Sequence, residues 1–114
     1  MGQKLLDIVI NINAGAFNGS YSCYFLTSDF VNLLEEIAKI YQDISYEFTF
    51  STIEDQLKIH FKGDGIGHIT LDCRAIDQAG VGNTLDFEIT IDQSYLSGIL
   101  TDLKGINDQF KVMA

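Results

Sequence analysis

The chain has 114 residues, the length of one ordinary domain, and 46 % of them are hydrophobic, so we predict a single domain over residues 1–114 with one core. No apolar run approaches the roughly 18 residues of a membrane span, and the first residues do not resemble a signal peptide, which predicts a cytoplasmic protein with no membrane partner. Sixteen acidic and seven basic residues give a net charge of −9, which argues against nucleic-acid binding because phosphates repel an acidic surface.

The first third of the chain predicts two strands and a helix. Apolar residues alternate at period two over residues 5–13 and 20–26, which indicates strands that are covered on one face. Asn18-Gly19 lies between them and is a strong hairpin signal, because both residues tolerate positive φ. From Phe30 to Tyr41 the apolar residues recur at helical spacing, which predicts an amphipathic helix with Ser28 as its N-cap.

Four more strands and a second helix are predicted after it. Alternating apolar residues begin at Tyr46, Leu57, Ile69 and Leu85, and a helical stripe then extends over about 93–110, up to Phe110, with Asp92 placed to cap it. The order is ββαββββα. Because one-sided strands are typical of antiparallel sheets, we predict an α+β, two-layer sandwich: a largely antiparallel sheet of about six strands with two helices on one face.

The glycine-rich stretch FKGDGIGHITLDC, residues 61–73, is interpreted as a hairpin. A phosphate-binding glycine loop needs a helix after it, whereas HITLDCRA predicts a strand. GDGIG, residues 63–67, then becomes a five-residue loop. Side-chain parity requires inward residues to pair with inward ones, which places Phe61 opposite Ile69 and Lys58 opposite Asp72.

The candidate contact residues are the polar side chains of this central region. Asp72, Asp86 and Glu88 are predicted on the solvent side of adjacent strands, and Asp64 and His68 belong to the glycine loop and its end. Such a face has two interpretations. It either keeps the sheet soluble or docks a protein partner, and the sequence leaves both open.

Metal binding and catalysis are the competing interpretations of the same face. His60 and His68 are predicted to share it, with Glu47 beside His60, but a metal site needs three or four convergent ligands. On an open face nothing excludes water or shifts the pKa of a carboxyl group. We therefore predict no metal, no cofactor and no enzymatic activity; a deep pocket holding His60 with Glu47 would favour an enzyme.

Four segments carry a family resemblance that covers roughly residues 30–110: LLEEIA in the first helix, the strand EDQLKIHF, the hairpin end GHITL, and GNTLDFEITIDQSYLSGIL from strand into helix. Together they resemble the WapI-family immunity proteins of bacterial polymorphic, or contact-dependent, toxin systems, and a related uncharacterised family of the same layout. The resemblance implies a small cytosolic protein, without catalytic residues, that binds and neutralises a cognate toxin domain.

A binding role of this kind agrees with the composition. An acidic protein is attracted to a basic toxin domain and can block it electrostatically and sterically. We expect the protein to act as a monomer or weak homodimer. The alternative is an acidic secretion chaperone or adaptor, which would be dimeric and bind an unfolded export segment.

Overall fold

A computed structural model describes residues 4–109 of the chain. Within this range the order is ββαββββα, so both the α+β class and the predicted order are confirmed. The strands are β1 (Leu5–Ala14), β2 (Phe17–Leu26), β3 (Glu47–Ser51), β4 (Leu57–Gly63), β5 (His68–Ile76) and β6 (Thr84–Asp92). The helices are α1 (Thr27–Gln42) and α2 (Leu96–Gln109), and a 3₁₀ turn, Gln93–Tyr95, precedes α2.

The six strands form two antiparallel sheets rather than one. β1 and β2 make a two-stranded hairpin, and β3, β4, β5 and β6 form a four-stranded sheet in that order. Alternation predicts which face a side chain occupies, but it does not identify the neighbouring strand. The sequence pattern therefore predicts six strands without showing their division between two sheets.

One core joins both sheets to both helices. Ile40 of α1, Ile69 of β5 and Leu96 of α2 are almost completely buried in it. The ring of Phe25 in β2 stacks on that of Phe30 in α1, with their centroids 5.1 Å apart. All of this packing uses the inner face of the four-stranded sheet, so its outer face stays exposed to solvent.

The helix ends follow from local hydrogen bonds. The N-cap of α1 is Leu26, and the helix begins at Thr27, so the prediction of Ser28 as the cap was wrong. The carboxylate of Asp29 accepts a hydrogen bond from the Leu26 N–H at 2.8 Å. Asp92 accepts from the Ser94 N–H at 2.8 Å, which confirms its predicted capping role. Phe110, the predicted end of the second apolar stripe, lies outside the described residues.

The first hairpin turns at Gly15-Ala16, so the prediction of a turn at Asn18-Gly19 was wrong. Gly15 supplies the positive φ, 61°, that a tight turn needs. The earlier turn lets every residue of β1 pair with one of β2 and places Ile8 opposite Cys23, with both side chains toward the core. The longer ladder and its apolar pairs outweigh the local Asn-Gly preference.

The register of the β4–β5 hairpin is shifted by two residues from the predicted one. Phe61 lies opposite Leu71 rather than Ile69, and Lys58 lies opposite Arg74 rather than Asp72. Gly63 belongs to β4 and faces Ile69, so the loop is residues 64–67. Because the predicted parity was correct, each of these side chains still lies on its predicted face.

Candidate functional site

The outward side chains of β3 to β6 form a continuous polar surface, which we call the open face. Its centre is an open depression with a volume of ≈ 570 Å³. Seven of the residues that line it have outward side chains: Thr49, Lys58, His60, Asp72, Arg74, Asp86 and Glu88. Strand alternation places them there, because each is one position away from an inward apolar residue.

The depression contains three of the five predicted contact residues. Asp72 of β5 lies opposite Glu88 of β6, and Asp86 lies opposite Arg74 in the next pair of the ladder. Asp64 and His68 do not line the depression, because they lie at the β4–β5 loop at one end of the sheet.

Asp64 and His68 organise this loop. The Asp64 carboxylate accepts hydrogen bonds from the N–H groups of Ile66 at 2.8 Å and His68 at 3.0 Å. These two bonds hold the pKa of Asp64 below its usual value. The Nδ1 atom of His68 lies 3.3 Å from the same carboxylate. Both residues thus have an internal role that the sequence did not indicate.

Arg74 and Asp86 form a two-point ion pair across β5 and β6. The guanidinium Nε donates to Asp86 Oδ1 at 2.8 Å, and Nη2 donates to Oδ2 at 3.3 Å. Hydrogen bonding to Arg74 lowers the pKa of Asp86, and the same pairing raises the pKa of Arg74. Asp86 therefore presents a largely compensated charge to a partner.

Asp72 and Glu88, by contrast, face each other with like charge. Over residues 4–109, neither carboxylate has a hydrogen-bond or ion-pair partner at this surface. Like charges directly opposite each other in a sheet are destabilising. The free protein thus holds two like charges at directly opposite positions in the centre of its open face.

Removing one of these charges should stabilise the free protein. We expect Glu88→Gln to raise the free energy of unfolding by about 0.2–1 kcal/mol, because it ends the repulsion across the β5–β6 pair. Urea denaturation at neutral pH and low salt measures the change. Asp86→Asn is the matched control, since it removes the same charge from the same strand but breaks the pair with Arg74. A gain in stability for the control alone would contradict this explanation.

His60 connects two residues of the neighbouring strand. Its Nδ1 lies 2.7 Å from Thr49 Oγ1, and its Nε2 lies 2.9 Å from Glu47 Oε2, which confirms the predicted contact with Glu47. The order of hydroxyl, imidazole and carboxylate is that of a nucleophile, a base and an orienting acid. However, the His60 side chain is 37 % exposed in an open depression, so water is not excluded as catalysis there would require. The contacts fix the orientation of the ring.

Two further observations concern other kinds of site. Among residues 4–109, no three His, Cys, Asp or Glu side chains converge as metal ligands do. The same range contains no helix with both the length and the hydropathy that a membrane crossing requires.

A comparison with models of protein families identifies the family of this chain. The model of the Immunity protein WapI-like family matches residues 2–111. The chain belongs to this WapI-like family. The resemblance predicted from the segments between residues 30 and 110 is thereby confirmed. Among curated proteins, no match was found. Membership of an immunity protein family indicates toxin neutralisation as the general role, and such proteins typically act by binding rather than by catalysis.

In this WapI-like protein most of the net negative charge belongs to residues outside the open face. The face has three cations, Lys58, Lys62 and Arg74, and five carboxylates, Glu47, Asp72, Asp86, Glu88 and Asp92. These leave it with two net negative charges, so seven of the nine in the chain belong to other parts of the sequence. The contact residues predicted from the sequence include Asp72, Asp86 and Glu88 but not Lys58 and Lys62, although parity places these two lysines on the same face.

Proposed function

We propose that this chain is a cytoplasmic immunity protein that binds the toxin domain of a cognate secreted toxin and neutralises it by steric and electrostatic blocking. Family membership supports the general role, and the exposed pair of Asp72 and Glu88 supports the open face as the contact surface. The partner is a protein; neither nucleic acid nor membrane is involved. The chain binds it as a monomer or weak homodimer.

The unpaired carboxylates make the open face suitable for binding. Asp72 and Glu88 repel each other in the free protein, and a lysine or arginine of the toxin placed between them would end that repulsion. The hydrogen bonds it forms to the two carboxylates are charge-assisted, which makes them stronger than neutral ones. The net charge of −9 accelerates the encounter with a basic toxin domain.

The other predicted contact residues have peripheral roles in this proposal. Asp86 contacts the toxin through a charge that Arg74 already compensates. Asp64 and His68 contribute the loop end of the surface, where Ile66 is 83 % exposed. We assign most of the binding free energy to Asp72 and Glu88 and less to these three residues, because an already paired charge gains less from a new partner.

Charge reversal tests the proposal. We expect Asp72→Lys/Glu88→Lys to raise the Kd for the toxin domain by at least about tenfold, because the variant repels the cation that the native pair attracts. The toxin domain encoded beside the gene, inactivated by mutation, is titrated by calorimetry. Glu35→Lys/Asp102→Lys is the control: it changes the net charge equally, but on exposed positions of α1 and α2.

The outcomes of the titration distinguish toxin binding at the open face from the alternative functions and from binding at another surface. A wild-type chain that forms no complex with the folded toxin domain contradicts the proposed function. If the chain instead dimerises and binds an unfolded export segment, it is the acidic secretion chaperone or adaptor. An unchanged Kd after reversal of Asp72 and Glu88 would show that the complex uses another surface.

A further inference from the structure

We infer that the open face is bipolar, so that the toxin surface it binds has a carboxylate-bearing strip beside a cationic strip and is not uniformly basic. This inference rests on the proposed function and specifies the partner of the same surface. It comes from the order of charges across the sheet. The outward residues of β4 are Lys58, His60 and Lys62, whereas the charged outward residues of β6 are Asp86, Glu88 and Asp92.

Internal contacts leave only part of this charge available to a partner. Arg74 compensates Asp86 through two hydrogen bonds, and Asp92 accepts the capping hydrogen bond from Ser94. Glu47 lies opposite Lys62 in the ladder, but its carboxylate bonds His60. These contacts occupy three of the five carboxylates.

The remaining charges are equal in number, with the cations on β4 and the carboxylates on the next two strands, β5 and β6. Lys58 and Lys62 on β4, and Asp72 and Glu88 on β5 and β6, have no ion-pair partner within residues 4–109. Adjacent strands are about 4.8 Å apart, so Glu88 on β6 lies roughly 10 Å from β4, whereas Asp72 on β5 lies one strand from β4, opposite His60. A toxin domain that covers the face must therefore contact both signs of charge.

The bipolar face selects between partners. A uniformly basic surface would gain from Asp72 and Glu88 but would bring its own cations against Lys58 and Lys62, and like-charge contacts of this kind reject wrong partners. A surface with carboxylates over β4 and cations over β5 and β6 satisfies all four side chains. The net negative charge, most of which belongs to residues outside the open face, attracts basic toxins in general, and the open face distinguishes the cognate one.

Neutralising the two lysines tests this inference. For Lys58→Gln/Lys62→Gln we expect the Kd for the inactivated toxin domain to rise at least about threefold, because carboxylates of the toxin lose their partners. If the face served only as an acidic surface, removal of two positive charges would leave the Kd unchanged or lower it. Glutamine is used because a glutamate at position 58 would compete for Arg74, which lies opposite.

Two controls complete the design. Lys4→Gln/Lys104→Gln makes the same change in net charge at exposed positions away from the open face, and its Kd should stay within about twofold of the wild type. Thermal unfolding checks that all variants are folded. In the wild-type complex, acetylation by an amine-reactive ester should spare Lys58 and Lys62 but modify Lys4 and Lys104, as mass spectrometry reports.

The outcomes also separate this inference from the proposed function. A wild-type chain that does not bind the toxin domain overturns both. A complex that forms normally, but in which Lys58 and Lys62 stay reactive or their removal does not weaken binding, overturns the bipolar face and leaves the proposed function intact. Equal weakening by the control pair would show a general charge effect and would also overturn it.

Discussion

Gly63→Ala is expected to lower the free energy of unfolding by about 1–3 kcal/mol, the range found when an extra carbon is forced into a well-packed site. A Cβ atom at this position would collide with the backbone carbonyl group of Ile44, which crosses directly over Gly63. A flexible side chain could move away, but a backbone carbonyl cannot do so without moving its neighbours. Two hydrogen bonds hold this segment: Gly63 N–H donates to Tyr46 O, and Gly65 N–H donates to Ile44 O, both at 3.2 Å.

Gly98→Ala is the matched control for this variant. Gly98 lies in α2, and a Cβ there would meet no atom within 4 Å. Alanine should therefore stabilise the helix by about 0.5–1 kcal/mol, since it loses less backbone entropy on folding than glycine does. Urea denaturation of both variants measures the two opposite changes. Equal effects of the two substitutions would contradict a steric role for Gly63.

Gly63 shows why the sequence predicts the face on which each side chain lies but not the register of β4 and β5. Parity depends only on neighbouring residues, so the outward positions of Asp72, Asp86 and Glu88 follow from the sequence alone. The register of β4 and β5 also depends on the segment around Ile44, which packs on Gly63 from nearly 20 residues earlier in the chain. No local sequence pattern indicates a contact between Gly63 and Ile44. The sequence therefore predicts Gly63 in the β4–β5 loop, whereas it belongs to β4.

In the first hairpin, too, a local sequence preference yields to contacts in the folded protein. Asn18-Gly19 has a strong local preference for a turn, yet both residues lie within β2. Turning at Gly15 instead extends the ladder and pairs Ile8 with Cys23 and Ile10 with Tyr21, all of which pack in the core. A preference worth a fraction of a kcal/mol yields to the burial of several apolar side chains, each of which contributes roughly 1.5–3 kcal/mol.

The candidate site could be predicted only in outline. Its carboxylates follow from alternation, but which of them is compensated depends on the register. Once Arg74 lies opposite Asp86, Asp72 must face Glu88. Lys62 gains its importance in the same way, because Glu47, which lies opposite it, is engaged by His60. The pairing of residues between strands determines which charges remain available to a partner. This pairing is a property of the folded protein, and the sequence pattern alone does not show it.

Ile69→Ala is expected to lower the free energy of unfolding by about 2–5 kcal/mol, the usual cost of an alanine at a fully buried isoleucine. Ile69 has no exposed surface and lies on the inner face of β5, opposite Gly63 and Ile91. Ile69→Val, which removes one methylene group, should cost about 0.5–1.5 kcal/mol. Equilibrium denaturation in urea gives both values. A cost for alanine no larger than that for valine would contradict the buried position of Ile69.

Stability and toxin binding should separate when Ile69→Ala is compared with the Asp72→Lys/Glu88→Lys variant. Domains of this size have total stabilities of about 5–15 kcal/mol, so Ile69→Ala increases the unfolded population and reduces protection of cells that express the toxin. Its folded fraction retains the open face, and its Kd at low temperature should equal that of the wild type. The charge-reversal variant should show the opposite pattern, with a folded protein and weakened binding. A weakened Kd for folded Ile69→Ala would show that the inner side of β5 also shapes the contact surface.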